Sequence, residues 1–373
     1  MDALGIIFSN IHDDNVPELT VERTMASIPF CGRYRLIDFP LSGMVNSGIS
    51  KVGVITKSNY QSLMDHVGSG KDWDLARRHG GLIILPPFGV QESKSLYGTR
   101  LEALKTVTGF LAKSTEEYVV MSDSDIVCCM NFDDLLDYHT KKQADITLVY
   151  VKTNSDSVHG TNNIVLEMDK SGKIIDMAFD PEYEEKRKVC LYANVCIMKR
   201  TLLQNLIADA VAHNKRHFGA DILAANLNRF KICAAEHKGY FVKISSLQSY
   251  YEESLKLLDK KKRDALFGNG NSVYTKVKDS APTRYGEKCI VKNSLIADGC
   301  EIEGEVYNSI IFRGVKIGKG TIVRDSVLMQ GTITGENSLI NCIITDKNVI
   351  IKDRRVLSGC KTHPFFVYKN SVL

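Results

Sequence analysis

The first two thirds of the chain alternate short apolar runs with longer segments that have helical spacing. Two segments with that spacing, Leu101–Leu111 and Phe132–Lys142, are predicted helices. The runs rich in β-branched residues are predicted strands, namely Ile6–Phe8, Val52–Ile55, Tyr118–Met121 and Ile146–Val151. This alternation is typical of a Rossmann-like α/β domain with a mostly parallel, buried sheet. Ligands bind such sheets at the carboxyl ends of the strands, here the loops near residues 8, 56 and 122.

A different period begins near residue 286. Isoleucine or valine recurs at steps of six, with one slip in phase, and glycines interrupt the run. These apolar positions are Ile296, Ile302, Ile311, Ile317 and Val323. Such a period is typical of a parallel β-helix with three short strands in each coil. The alternative, a β-sandwich, would space its strands by about 8–12 residues.

Between these two patterns, Tyr250–Lys262 is predicted to form one helix, followed by a linker to about residue 285. The basic cluster Lys260–Arg263 lies between Asp259 and Asp264 and is predicted to be the solvated end of that helix. The predicted domains are therefore an α/β domain over residues 1–245, a helix and linker over 246–285, and a β-helix domain over 286–373.

Composition narrows the class of protein. Of the 373 residues, 44% are hydrophobic and 25% are charged, the balance of a well-packed globular protein. No apolar run approaches the roughly 20 residues of a membrane-spanning helix. The net charge of +4 is modest and dispersed, so we expect neither a nucleic-acid nor a membrane partner.

The ten cysteines are scattered and are expected to be buried, reduced thiols. The N-terminus is unlike a targeting peptide, and we expect a cytoplasmic protein.

One block of sequence is highly specific. Ile28–Phe39, continuing as Leu41–Ile49, resembles the signature of the glucose-1-phosphate adenylyltransferases, also called ADP-glucose pyrophosphorylases. The match continues in the same order through Tyr60–His66, Trp73–Leu75, His217–Ile222, Gly239–Phe241 and Ser249–Glu252. It covers nearly the whole chain. The resemblance implies a GT-A-like nucleotidyltransferase domain followed by a left-handed β-helix.

Enzymes of this family join ATP and glucose 1-phosphate to give ADP-glucose and pyrophosphate. That chemistry depends on positioning and on neutralising phosphate oxygens with backbone N–H groups, lysine or arginine, and Mg²⁺. In the family a glycine-rich loop, G-G-x-G-x-R-L, follows the first strand and closes around phosphates. Here Ser9–Asn15 contains no glycine, and Asp13 and Asp14 would repel a triphosphate. We expect an ordinary solvated loop.

Other phosphate-contacting positions also differ from the family. The lysine of the family's R-A-K-P falls on Met25, which carries no charge, although Arg23 matches. In the family's F-V-E-K-P, the lysine that holds glucose 1-phosphate becomes Asp180, a reversal of charge. The G-T-A-D-A motif becomes Gly98–Glu102, with Arg100 at its first alanine, and Lys243 replaces an aspartate of the Y-W-x-D-I/V-G segment.

The metal position is altered too. The family's S-G-D-H-I-Y aligns with Ser122–Val127 and places Ser124 where the metal-binding aspartate belongs. Asp123 and Asp125 flank it, but successive strand residues point to opposite sides, which makes a neighbour a poor substitute. The second metal aspartate matches as Asp221, a vestigial ligand that alone would hold Mg²⁺ only weakly.

Losses at each phosphate-contacting element, with the fold-defining blocks intact, indicate relaxed selection on catalysis alone. The pattern resembles the GlgD-type regulatory branch of the family, found beside a catalytic subunit in some bacteria. We expect a non-catalytic or weakly active subunit of glycogen biosynthesis, with Met25, Ser124 and Asp180 as degenerate positions and no catalytic residue. The implied partner is the catalytic ADP-glucose pyrophosphorylase subunit, in a hetero-oligomer that the resemblance makes a tetramer. No cofactor is expected, and Mg²⁺ only in an active chain.

The resemblance also implies an effector site. Arg33 falls where the family has a basic residue that contacts the activator, so Arg33 and Arg35 are candidates to bind a sugar phosphate or a nucleotide. The alternative is that Arg35 pairs with Asp38 and only stabilises the fold.

Two further functions remain open. The first is an active adenylyltransferase with a rebuilt site, in which Asp123 or Asp125 joins Asp221 on Mg²⁺ and Arg23 binds phosphate. The second is acyl transfer by the β-helix, which needs a histidine base between coils. The only histidine after residue 237 is His363, beyond the repeats, which argues against it.

Overall fold

The computed structural model describes residues 1–87, 97–158, 161–268 and 272–373. Part of the predicted linker, residues 269–271, lies outside them. The strands before residue 245 are β1 Ala3–Phe8, β2 Pro29–Phe30, β3 Tyr34–Arg35, β4 Lys51–Ile55, β5 Gly81–Leu85, β6 Tyr118–Asp123, β7 Ile126–Cys128, β8 Ile146–Asn154, β9 Ile164–Met168, β10 Ile174–Phe179, β11 Lys188–Lys199, β12 Ile232–Glu236 and β13 Phe241–Lys243. The four predicted strands are all confirmed, within β1, β4, β6 and β8.

Nine of these strands form one sheet, in the order β10-β9-β11-β6-β1-β4-β5, with β8 and β12 joined through β11. The β5-β4-β1-β6 part and the β8-β12 pair are parallel. The long strand β11 runs antiparallel to β6 and β8. Two apolar clusters cover the two faces of the sheet, one around Leu4 and Met121 and one around Ile7 and Val120. The α/β prediction is therefore confirmed, with the parallel strands β6-β1-β4-β5 at one end of the sheet and β5 at its edge.

The helices are α1 Pro17–Thr20, α2 Asp38–Asn46, α3 Gln61–Val67, α4 Arg100–Thr106, α5 Thr108–Lys113, α6 Phe132–Lys142, α7 Arg200–Ala212, α8 Leu247–Lys256 and α9 Lys260–Phe267. A π-helical turn spans Phe218–Leu223. The predicted helix Phe132–Lys142 is confirmed, whereas Leu101–Leu111 is divided at Val107. No described helix is long and apolar enough to cross a bilayer.

The single helix predicted over Tyr250–Lys262 is wrong. The chain forms α8 and α9 instead, separated at Leu257–Asp259, and the Asp259 carboxylate accepts a hydrogen bond of 2.8 Å from the Lys261 N–H. An aspartate at this position caps a new helix. Lys260–Arg263 is thus the first turn of α9 and not the end of a longer helix.

The strands of the C-terminal part are β14 Arg284–Tyr285, β15 Ile290–Lys292, β16 Leu295–Ile296, β17 Glu301–Ile302, β18 Glu305–Tyr307, β19 Ile310–Ile311, β20 Lys316–Ile317, β21 Ile322–Arg324, β22 Val327–Leu328, β23 Ile333–Thr334, β24 Leu339–Asn341, β25 Ile343–Thr345, β26 Ile350–Ile351, β27 Val356–Ser358 and β28 Phe365–Val367. Every third strand pairs in parallel, which gives three five-stranded sheets around an apolar interior. The six-residue period is the spacing of these strands, and the β-helix prediction is confirmed. Glycine or asparagine occupies most of the left-handed corners, as at Gly299, Gly314, Gly331 and Asn348.

The β-helix packs against the α/β domain through the sheet that contains β19, β22 and β25. Ile310, Val327 and Ile344 of that sheet belong to one apolar cluster with Met25 and Phe30 of the α/β domain. Tyr250 of α8 joins this cluster, and its hydroxyl donates to the Pro29 carbonyl at 2.7 Å. The two domains therefore share a dry core, which places the loop before β2 directly beside the β-helix.

All ten cysteines are free thiols, as expected. Five of them are buried, four are half-buried and Cys360 is exposed. The expectation that the cysteines are buried therefore holds for only part of the set.

Candidate functional site

The loop after β1 is buried or half-buried except at Asp14, which corrects the expectation of a solvated loop. Asn10 is 1% exposed and its side chain is fully engaged. Its Oδ1 accepts from the Thr56 hydroxyl at 2.8 Å and the Lys57 N–H at 3.0 Å, and its Nδ2 donates to Asp13 at 2.7 Å. The Asn10 side chain therefore ties this loop to the chain that follows β4.

The carboxylate of Asp13 closes this loop on itself. Its Oδ1 accepts from the backbone N–H of Met25 at 2.8 Å, and burial raises the pKa of Asp13 to about 6. Met25, at the family's lysine position, is 1% exposed and packs in the core between the domains. A carboxylate and a thioether thus stand where the family needs an N–H donor and a cation.

The end of β6 places Ser124 and its two neighbours differently. The Ser124 hydroxyl donates to the Phe8 carbonyl at 2.9 Å, so it faces β1. Asp123 and Asp125 both lie near the imidazole of His12, whose Nε2 is 2.6 Å from Asp123 Oδ2 and 3.6 Å from Asp125 Oδ2. The two aspartates therefore converge, while the residue between them points away. His12 was absent from the sequence prediction because it lies 111 residues from Asp123.

Arg100 contacts the same cluster from α4. Its Nη2 lies 2.5 Å from Asp123 Oδ2, and its guanidinium stacks over the rings of Phe8 and Phe218 at 5.4 and 5.9 Å. Burial acts to lower the pKa of Arg100, but the Asp123 carboxylate outweighs it and raises the pKa. The family has alanine at this position, so a single large side chain fills the space beside β6.

The charges of this cluster balance internally. Burial favours the neutral form of Asp123, but Arg100 and His12 outweigh it and lower its pKa. Burial raises the pKa of Asp125. For His12, burial acts to lower the pKa, but Asp125 and Asp123 outweigh burial, so the pKa is raised. Arg100 and His12 thus supply the positive charge beside these carboxylates, in the place of the divalent ion that supplies it in the family.

The family's Mg²⁺ does not fit the residues at the equivalent positions. Ser124 offers a hydroxyl that is already used. Asp221 accepts the backbone N–H groups of Arg216 and His217, both at 2.8 Å, and these bonds lower its pKa. Oδ2 of Asp221 therefore stabilises the turn before the π-helical segment, and its role as a vestigial metal ligand stays a prediction.

Asp180 directly follows β10 and has a left-handed backbone, φ +43°. Its carboxylate accepts from the N–H groups of Asn162 and Asn163 at 3.0 and 2.7 Å. The side chain of Lys243 donates to Asn163 Oδ1 at 2.9 Å. The charge reversal at the sugar-phosphate position is therefore built into a turn and leaves an acid where a phosphate would bind.

A second candidate site lies between the two domains. It is a cavity of about 310 Å³ bounded by the β2–β3 turn, the linker and the β-helix. The side chains around it include six cationic groups and one carboxylate, Asp65. The cationic residues are Arg33, Arg35, Lys276, Lys278, Arg313 and Lys347. We call this cavity the basic pocket; it brings both predicted effector residues together with four cations that sequence reasoning missed.

Arg35 does not pair with Asp38 through its guanidinium. The Arg35 side chain donates to the Ser62 hydroxyl at 2.9 Å, while Asp38 accepts the Arg35 backbone N–H at 3.0 Å. The other Asp38 oxygen lies 2.6 Å from Nε2 of His66. The predicted fold-stabilising role therefore belongs to the Arg35 backbone, and its charge remains directed toward the basic pocket.

The basic pocket has more positive charge than its own carboxylates balance. Only Arg313 of the six cations has a carboxylate within 4.0 Å in the described part of the chain, Asp298 at 2.9 Å. Burial, with Arg35 and Arg23 nearby, lowers the pKa of Lys347 to about 7. Burial also lowers the pKa of Arg35 to about 10. Cations held close together without carboxylate partners favour the binding of an anion, because an anion stabilises their charged forms.

Comparison with known proteins agrees with this architecture. The nucleotidyl transferase family model matches residues 16–260, and the GlmU-like C-terminal hexapeptide model matches residues 278–361. The chain is 33% identical to the glycogen biosynthesis protein GlgD of Bacillus subtilis over 371 residues, which cover 99% of this chain and 96% of that protein. The chain belongs to the GlgD-type branch of the glucose-1-phosphate adenylyltransferase family. Membership places it in glycogen biosynthesis.

Relatives of both kinds are similar to the chain. The GlgD protein of Geobacillus stearothermophilus is 36% identical over 370 residues, 99% of this chain and 96% of that protein. The glucose-1-phosphate adenylyltransferase of Thermotoga maritima is 34% identical over 327 residues, 87% of this chain and 76% of that enzyme. The hexapeptide match identifies the C-terminal domain as a left-handed β-helix, as the resemblance implied.

Proposed function

We propose that this protein is a non-catalytic subunit that regulates a catalytic ADP-glucose pyrophosphorylase subunit in glycogen biosynthesis. The observation that carries the proposal is the self-filled nucleotide site. The Asp13 carboxylate accepts a hydrogen bond from the N–H of Met25, and Arg100 and His12 both contact the carboxylate of Asp123. A triphosphate would have to displace buried ion pairs and approach two acids, which is unfavourable without a compensating cation.

The basic pocket supports a regulatory role. Arg33 and Arg35 project from the β2–β3 turn, and Lys347 comes from the β-helix, so one anion would contact both domains. A sugar phosphate suits the pocket because phosphate oxygens accept from several cations at once. The ligand would favour whichever arrangement of the domains brings these cations together, and an effector acts through such differential binding.

The pocket is connected to the nucleotide loop through buried contacts. Lys347 is adjacent in sequence to Asp346, and Asp346 forms a two-oxygen ion pair with Arg23 at 2.7 and 2.9 Å. Two residues after Arg23, the Met25 N–H is held by Asp13. Anion binding therefore acts on the same segment that closes the nucleotide site. A partner subunit that packs on either domain would sense this change.

The proposal is tested by measuring ADP-glucose formation with the purified chain, with a purified catalytic paralogue, and with both. We expect background turnover from the chain alone, because each phosphate-contacting device is missing. In the mixture we expect a hetero-oligomer by sedimentation, and a maximal rate or effector response different from that of the paralogue alone.

Two outcomes would contradict the proposal. Turnover by the isolated chain near that of the paralogue would favour the alternative of an active enzyme with a rebuilt site. Two separate species in sedimentation, with unchanged kinetics of the paralogue, would exclude a regulatory partnership. A catalytic paralogue mixed with an unrelated protein of equal concentration is the control for crowding and stabilisation.

A further inference from the structure

The buried cluster at the end of β6 contains oxygen atoms that the internal charge balance leaves unused. Asp123 and Asp125 are 0% exposed. Arg100 and His12 both contact Asp123 Oδ2, so Asp123 Oδ1 has no hydrogen-bond partner among the described residues. Both oxygens of Asp125 also lack a hydrogen-bond partner there. Buried polar atoms in proteins are nearly always satisfied by protein, water or an ion, so these three oxygens indicate a missing partner.

The three residues His12, Asp123 and Asp125 each offer a ligand atom, and these atoms lie within 4.8 Å of one another. Ligands about 2.1 Å from a tetrahedral ion are separated by about 3.4 Å. The 3.6 Å between His12 Nε2 and Asp125 Oδ2 is close to that value. Without an ion, His12 Nε2 and Asp123 Oδ2 share a hydrogen bond of 2.6 Å. Ion binding would break this bond and release its proton to solvent, so that Nε2 ligates the ion and Asp123 ligates it through the free Oδ1.

We propose that His12, Asp123 and Asp125 form a binding site for a divalent transition metal ion of the Zn²⁺ or Mn²⁺ type. One imidazole with two carboxylates is a donor set for these ions, whereas Mg²⁺ prefers oxygen ligands and keeps its water. Arg100 fixes the orientation of Asp123 through Oδ2, as an outer-shell partner does for a ligating carboxylate.

This site differs from the one implied by the family in every residue. The family positions correspond to Ser124, whose hydroxyl donates to the Phe8 carbonyl, and to Asp221, whose Oδ2 accepts from the backbone at Arg216 and His217. The proposed site takes the flanking aspartates and adds a histidine from the loop after β1. It does not depend on the regulatory proposal, since an ion here is compatible with a chain that does or does not turn over ADP-glucose.

The test uses the full-length chain, stripped of metal with a chelator and titrated with Mn²⁺ or Zn²⁺. Loss of the free Mn²⁺ electron paramagnetic resonance signal, and competition with a zinc indicator dye, report binding directly. We expect one ion per chain, with Mg²⁺ in large excess unable to displace it. Asp125→Asn and His12→Gln should each weaken binding by more than the about 10–100-fold that loss of an outer-shell partner causes.

Asp221→Asn is the matched control, because it removes the family's remaining metal carboxylate and leaves the proposed ligands intact. We expect it to bind Mn²⁺ and Zn²⁺ like the wild type. Circular dichroism of each variant distinguishes loss of a ligand from loss of the fold. The proposal is overturned if the wild-type chain binds neither ion, or if Asp221→Asn weakens binding as much as Asp125→Asn. The first outcome would make the cluster an ion network neutralised by Arg100 and His12 alone, and the second would place Asp221 in the metal site.

Discussion

Replacing Arg23 with alanine is expected to destabilise the protein by about 3–5 kcal/mol, because it leaves a buried carboxylate without its counter-charge. Arg23 is 2% exposed and Asp346 is 5% exposed. Arg23 Nη2 donates to both Asp346 oxygens, at 2.7 and 2.9 Å, and Nη1 donates to the Leu19 carbonyl at 3.3 Å. The pair joins the α/β domain to the β-helix inside their shared core, so no water replaces the lost guanidinium at low cost.

The measurement is urea unfolding followed by intrinsic fluorescence and by circular dichroism, at a fixed pH. Lys369→Ala is the matched control, because Lys369 pairs with Glu22 across the same two domains but is only half-buried and its partner Glu22 is exposed. An exposed pair is worth about 0–1 kcal/mol, so the control should shift the unfolding midpoint very little. Equal, small effects of the two substitutions would show that the Arg23 pair does not hold the domains together.

Arg23 also shows which features of the structure the sequence alone can and cannot predict. Its match to the family's phosphate-binding segment made it a candidate phosphate ligand in the active-enzyme alternative. In the structure Arg23 instead forms an ion pair with Asp346, 323 residues away. Periodicity identified the buried strands and the β-helix because each pattern depends on neighbours within a few residues. An ion pair across a domain interface depends on the packing of the two domains and leaves no local pattern.

For the candidate sites too, sequence motifs located some of the residues and missed others. Ser124, Asp180 and Met25 were located by motif, and the structure shows what each side chain contacts in place of a phosphate or a metal. His12 was missed because it does not stand at a motif position that carries charge in the family, and Arg100 was identified as a departure from a motif but not as part of a charged cluster. The solvated loop was a wrong expectation because the charge of Asp13 and Asp14 was considered without the buried donors Asn10 and Met25 that accommodate Asp13.

The break between α8 and α9 has a local cause that was available in the sequence. Asp259 is a strong N-cap residue and directly precedes Lys260. The apolar spacing continues through it, so periodicity alone joined the two helices. Capping chemistry and not hydrophobic pattern decides this boundary, and it determines where α9 begins before the linker that lines the basic pocket.

The basic pocket gives the second large prediction. Lys347→Glu is expected to weaken binding of inorganic phosphate or a sugar phosphate by at least about 100-fold, or about 2.7 kcal/mol. Two unit charges about 4 Å apart interact by about 4 kcal/mol at an effective dielectric constant of about 20, and the substitution replaces an attraction with a repulsion. Isothermal titration of the full-length protein measures the affinity. Lys352→Glu, an equal change of charge on an exposed lysine of the β-helix, is the control and should retain wild-type affinity.

The same lysine predicts the pH dependence. Because burial and neighbouring cations lower the pKa of Lys347 to about 7, its charge is present at pH 6 and mostly absent at pH 8 in the free protein. Anion affinity should therefore fall as the pH rises through 7, and Lys347→Met should flatten that profile.

The free energy of unfolding depends on pH in the opposite direction. The unfolded chain binds more protons than the folded chain between about pH 7 and 10.5, so the free wild-type protein becomes more stable as the pH rises through that range, by at most about 1.4 kcal/mol per pH unit. Lys347→Met should remove this slope and stabilise the free protein at pH 7. A variant that loses stability there while binding phosphate normally would show that Lys347 serves the fold and not an anion.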